Sequence, residues 1–158
     1  NALSGRYDRI AQLQVGVWPL QVYAAPAALT PLTATFTNGV SLNGVAIMPT
    51  MPTPGGVVAI HLDWRGEPSK LTGSEKVFVQ VLNQDGQLVA QDDRPLRLTG
   101  PLATGSGLAA YGVPLPAELA TGDYRLITGL YDPDVAGAPR IPTVDGADSV
   151  ELGELSFQ

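Results

Sequence analysis

The chain contains no cysteine, a single histidine, and no charged residue anywhere from Ile10 to Leu62. The lack of cysteine excludes a disulfide framework, thiolate metal sites and a cysteine nucleophile. One histidine, His61, excludes a histidine-rich metal centre. Only nine Lys and Arg stand against fifteen Asp and Glu, a net charge of -6, and the basic residues form no cluster. A phosphate-tracking surface is therefore missing, and nucleic acid is not an expected partner. Long apolar runs are missing as well. A membrane-spanning helix needs roughly 18 or more apolar residues in succession. Pro19, Pro26 and Pro31 interrupt the neutral stretch, and polar Gln, Thr and Asn recur in it. No transmembrane helix is expected.

What is present suits one all-β domain spanning 1–158, with 1–35 its least defined part. A chain of 158 residues can bury roughly 70% of its unfolded surface, so it needs no metal or disulfide to hold a core. Eighteen glycines and fourteen prolines exceed the average, yet 44% hydrophobic residues argue for a packed interior. The dominant period is two. In VVAIHLDW (57–64), Val58, Ile60, Leu62 and Trp64 fall on one face, and Ala59, His61 and Asp63 on the other, the mark of a strand with one face in a core. KVFVQVLN (76–83), QLVAQD (87–92), DYRLITGLYD (123–132) and VELGELSF (150–157) read as further strands. Fainter ones are LQVGVWPLQVYA (13–24), LTATF (32–36), GVAIM (44–48) and GLAAYGVPL (107–115). Asp85-Gly86 supplies the positive φ angles of a tight hairpin turn. PAELA (116–120) could form one helical turn.

Many short strands between Gly, Pro, Asn and Thr clusters suggest a sandwich or barrel. LATGDYRL (119–126) places Tyr124 where sandwich domains carry a tyrosine corner, a Tyr at the start of a strand bonding back to the preceding turn. The expected fold is an Ig-like antiparallel β-sandwich, with a jelly roll as the alternative. The neutral stretch fits either buried strands and neutral loops, or a surface lying against a membrane or another protein.

Candidates for chemistry are few. No GxSxG elbow accompanies His61, and TGSGLAAYG (104–112) matches neither that elbow nor a phosphate loop. On the polar face of its strand, His61 is expected to be solvated or hydrogen-bonded, without a catalytic role. Asp92, Asp93, Asp132, Asp134, Glu151 and Glu154 could supply a carboxylate pair for glycoside hydrolysis, but all lie at strand ends or in turns. Asp92-Asp93 and Asp132-Pro133-Asp134 could converge on calcium, though without any recognised loop spacing. Trp18 and Tyr111 are the aromatics least committed to a core, hence candidates for stacking on a sugar. The weak ligand-binding set is thus Trp18, Tyr111, Asp92, Asp93 and Asp132. Neither a cofactor, a metal nor a catalytic residue is expected.

The order of the strings VVAIHLDW, VFVQVLNQDGQLVAQDDRP, YGVPLPAELATGDYRLITGLYDP and VELGELSF resembles the C-terminal soluble β-sandwich domain of some large bacterial membrane glycosyltransferases. The membrane part of those proteins resembles protein mannosyltransferases and aminoarabinose transferases. The match covers about residues 36 to 158. It includes the strand ending in Trp64, the Asp85-Gly86 hairpin, the Gln91-to-Pro95 exit, the long Pro114-to-Pro133 string and the final Leu-Gly strand. It departs at LATGSGLAAYG (102–112), where the family carries a PT-x-x-W-x-PGE segment, so any function of that loop is not carried over. The resemblance implies a non-catalytic, extracytoplasmic accessory domain, membrane-associated through its parent chain. The parent membrane protein or the membrane surface would be its partner. A carbohydrate-binding module, aided by calcium, is the alternative, with a glycan as partner.

Overall fold

The structure, a computed structural model, describes residues 7–49, 51–98 and 105–158. Eleven strands carry these residues: β1 (Asp8–Val15), β2 (Trp18–Ala24), β3 (Thr30–Thr35), β4 (Ser41–Met48), β5 (Val57–Gly66), β6 (Lys76–Leu82), β7 (Leu88–Pro95), β8 (Gly105–Pro114), β9 (Gly122–Tyr131), β10 (Arg140–Ile141) and β11 (Val150–Phe157). Every pairing is antiparallel. One sheet runs β3–β4–β5–β8. The other has β9 between β6 and β11, with β7 beyond β6 and the short β10 also on β9. The set β4–β5–β8 facing β11–β9–β6–β7 is the Ig-like order, not that of a jelly roll.

Alternation on the central strands builds the core. Val58, Ile60, Leu62 and Trp64 of β5 point inward, as their period predicts, and meet Val77, Val79 and Val81 of β6 with Leu126 and Leu130 of β9. Trp64 packs on Phe36 with ring centroids 5.9 Å apart, and Tyr124 meets Phe157 edge-on at 5.1 Å, both favoured aromatic geometries. Tyr124 also donates its hydroxyl to the Ala120 carbonyl at 2.9 Å. The tyrosine corner is therefore made as its sequence position suggests.

Three local readings change. The β6–β7 turn is not a two-residue turn with two positive φ angles. Gly86 alone is left-handed (φ 76), and the Asn83 side-chain oxygen accepts from the Asp85 and Gln87 backbone amides. That Asx cap over a glycine bulge turns the chain with one residue in the left-handed region. PAELA makes no helix; among the described residues the one helical turn is Pro68–Lys70. The region 13–24 is not one strand but part of a hairpin, β1–β2, turning at Gly16-Val17. The two-residue β10 carries no period that could announce it.

The hairpin lies outside the two-sheet core. It covers part of the outer face of the β3–β4–β5–β8 sheet, where Ile10 and Ala24 bury against Ala59, with Val22, Met48, Val57 and Ala110 around them.

Candidate functional site

Three functions were open to the few chemical residues, and the structure distributes those residues widely. Asp92 and Asp93 are neighbours on β7, so the pleat sends them to opposite faces. Asp92 turns toward β8. It accepts from Arg94 Nε at 2.8 Å and from the Gly112 amide at 3.1 Å. Arg94 in turn donates to the Ala110 carbonyl at 2.9 Å and to the Ile10 carbonyl. Its guanidinium lies 5.7 Å from the centre of the Tyr111 ring. This cluster clamps β1 against β8. Close approach is possible because residue 112 is glycine, where a Cβ would stand 2.5 Å from the Ile10 carbonyl oxygen. Asp92 is thus a strut of the fold and not the solvent end of a strand.

Asp93 points the other way and accepts from the Tyr131 hydroxyl at 3.4 Å. Partial burial raises its pKa above the usual carboxylate value, and the nearby Asp92 charge adds to the effect. A perturbed carboxylate can flag a site, but Asp93 sits exposed on a strand face and not in a cleft. Asp132 follows β9 and is held by the Ser74 hydroxyl at 2.6 Å, the Thr72 hydroxyl at 3.2 Å and the Asp134 amide at 3.0 Å. The Ser74 bond leads in holding its carboxyl below the ordinary range. Its oxygens already serve the turn and the β5–β6 connection. Among the described residues no group of three or more His, Asp or Glu side chains could hold a metal ion, so the two aspartate pairs do not converge.

The aromatic candidates separate as well. Tyr111 is 1% exposed and belongs to the core; burial holds its phenol well above the usual tyrosine range. It cannot stack on a sugar. The sequence missed this because AAYGVP interleaves small residues with large ones and shows no clear period. Trp18 is 75% exposed near the tip of the β1–β2 hairpin.

His61 corrects the solvated reading. It does lie on the outer face of β5, but the hairpin covers that face and leaves it 1% exposed. Neither ring nitrogen has a hydrogen-bond partner. Asp8 of β1 comes to 4.0 Å of Nε2. Loss of water lowers the imidazole pKa, and the Asp8 charge opposes that only in part, so the neutral ring is favoured.

What the sequence candidates did not include is a contiguous apolar tip. Val15, Val17, Trp18 and Leu20 are 58%, 82%, 75% and 49% exposed. They cluster where β1 turns into β2. Beside the root of the hairpin, a cleft of about 330 Å³ opens among Arg9, Arg94, Arg97, Leu108 and Tyr111, but Arg94 there is already committed to the clamp. No helix among the described residues is long and apolar enough to cross a membrane.

No protein-family model matches the sequence, and no curated protein matches it. Among solved structures, the chain is similar to a glycosyl hydrolase family 2 member from Bacteroides cellulosilyticus, at 12% identity and a TM-score of 0.43. That likeness covers 77% of this chain and 14% of the other, so this chain spans a small part of that protein's length.

Proposed function

We propose that this β-sandwich is a non-catalytic, extracytoplasmic accessory domain of a bacterial membrane glycosyltransferase-like protein, there to make contacts and not to carry out chemistry. The observation that carries the reading is the fate of the polar candidates. Asp92 is engaged by Arg94 and the Gly112 amide, Asp132 by Ser74 and Thr72, and His61 is buried under the hairpin. The two aspartates each hold one element to another, and the buried His61 ring has no hydrogen-bond partner. A glycosidase needs two carboxyl groups facing each other at roughly 5 or 6.5–9.5 Å across a substrate cleft, and these aspartates lie on separate faces and turns. The resemblance over residues 36 to 158 supports the glycosyltransferase association, and the strings that carry it coincide with β5, β6, β7, β9 and β11.

A titration of the purified chain against a glycan array, with and without calcium, tests this reading. The expected result is no specific binding in either condition. Glycan binding that requires calcium and is lost in Asp132→Asn, or binding that is lost in Trp18→Ala, would replace it with a carbohydrate-binding module.

A further inference from the structure

The β1–β2 hairpin has two unlike faces. Its register pairs Val15 with Trp18, Leu13 with Leu20 and Ala11 with Val22, whereas Gln14 faces Pro19 and Gln12 faces Gln21. Cross-strand partners share a face, so one side of the ribbon is apolar along its length and the other is lined by glutamines. The root of the apolar side, with Ile10, Val22 and Ala24, is covered by the sandwich. The same side continues past that contact, and at its far end Val15, Trp18 and Leu20, with Val17 in the turn, stand in solvent. Packing within the chain explains the root but not the overhang, and contiguous exposed apolar patches mark interaction sites.

We propose that the overhang docks into the interfacial layer of a lipid bilayer, apolar side down, with Val15, Val17, Trp18 and Leu20 reaching the acyl boundary. Charge selects this occupant. The hairpin lies almost wholly within the stretch from Ile10 to Leu62 that has no Asp, Glu, Lys or Arg, and a charged side chain is what an interfacial segment can least carry toward the hydrocarbon. Tryptophan is enriched at this depth because its ring is apolar and its N–H polar. The glutamine side remains toward the headgroups and water, as the polar face does in interfacial amphipathic segments. The chain as a whole carries -6, and the overhang itself, Val15 to Leu20, has no Lys or Arg to draw it to anionic lipid. Binding to zwitterionic lipid, insensitive to salt, is the chemical signature. The inference rests on the membrane-associated reading above and names the surface and the lipid chemistry that would serve it.

The test uses the intact chain and phosphatidylcholine vesicles. Trp64 is 1% exposed, so a change in tryptophan emission on adding lipid reports Trp18. The expected result is a blue shift, quenching by brominated phosphatidylcholine, and co-sedimentation that salt does not weaken. Trp18→Ala lowers the partition about tenfold, the scale of burying one aromatic side chain. Val144→Ser, at another exposed apolar position, leaves it unchanged. The proposal is overturned by no co-sedimentation at millimolar lipid, by binding that needs anionic lipid, or by a blue shift that grows with protein concentration without lipid, which would assign the tip to a second copy. Failure here, with the native polypeptide still recovered in membranes, removes this inference and leaves the accessory-domain reading. Vesicle binding by a chain whose native polypeptide has no membrane part would do the reverse.

Discussion

At the scale of single residues, burial decides which polar groups are available. His61 is the clearest case. Its period of two was legible and put it on the outer face of β5 with Ala59 and Asp63, correctly. What the period could not reveal was that a hairpin from far earlier in the chain lies on that face. The same limit applies to Tyr111, whose strand mixes Gly and Ala with large residues, and it did not apply to Trp64, whose neighbours Val58, Ile60 and Leu62 announce the core. Buried His61 carries a consequence for pH. In the unfolded chain the ring takes a proton near its ordinary value of 6.5, whereas in the folded state it does so only at lower pH. The unfolded state therefore binds more protons between those two values, and stability falls as pH drops through that window, not above it. Asp8 faces the ring from β1 and limits the effect. Urea unfolding at pH 7.5 and 5.5 should show a loss for the natural chain, at most about 1.4 kcal/mol for each pH unit below 6.5. His61→Leu should lose less over the same interval. Equal losses in both proteins would mean that the ring is not the group responsible. Asp132 and Asp145, whose carboxyls are held below the usual 3.8 by hydrogen bonds, act in a separate window. What they contribute is present above that value and is lost only as pH falls through their depressed pKa values.

At the scale of elements, the strongly alternating strands β5, β6, β9 and β11 were readable because each sends a row of mainly apolar side chains into the core at a period of two. The tyrosine corner was readable because its signature is local. The weaker segments β3, β4 and β8 could be placed but not paired, and β1 and β2 were read as one strand over 13–24. Pairing is set by long-range contacts such as Arg94 to Ile10, and those leave no mark in a window of ten residues. The clamp itself leads to a prediction. Arg94 holds the hairpin root through the carbonyls of Ile10 and Ala110 while Asp92 orients it. Arg94→Ala leaves these partly buried carbonyls and Asp92 without their donor, an expected cost of about 1–3 kcal/mol. The loss should be local. Hydrogen exchange should speed up for amides of β1 and β2, while β6 and β9, inside the core, stay protected. Uniformly faster exchange throughout both sheets would show that the hairpin is not a separable layer on the sandwich.

At the scale of the whole molecule, two facing sheets supply a rigid body, and a neutral hairpin fastened to its outside supplies the exposed apolar surface. Composition bounded this picture early. A cysteine-free, acidic chain with a long charge-free stretch reads as neither a nucleic-acid binder nor a disulfide scaffold, and that stretch divides between core and surface. Much of it is buried, as with Val40, Leu42, Val45 and Ile60, and part of it is the exposed tip at Val15 to Leu20. The central claim is that this body serves a membrane protein from the outer side. The most direct measurement is fractionation of the source cells with an antibody against the domain, followed by protease treatment of intact spheroplasts. The account predicts that the native polypeptide sediments with membranes, resists carbonate extraction and loses this domain to external protease. Recovery in the soluble fraction, or protection from protease until the cells are lysed, would contradict it.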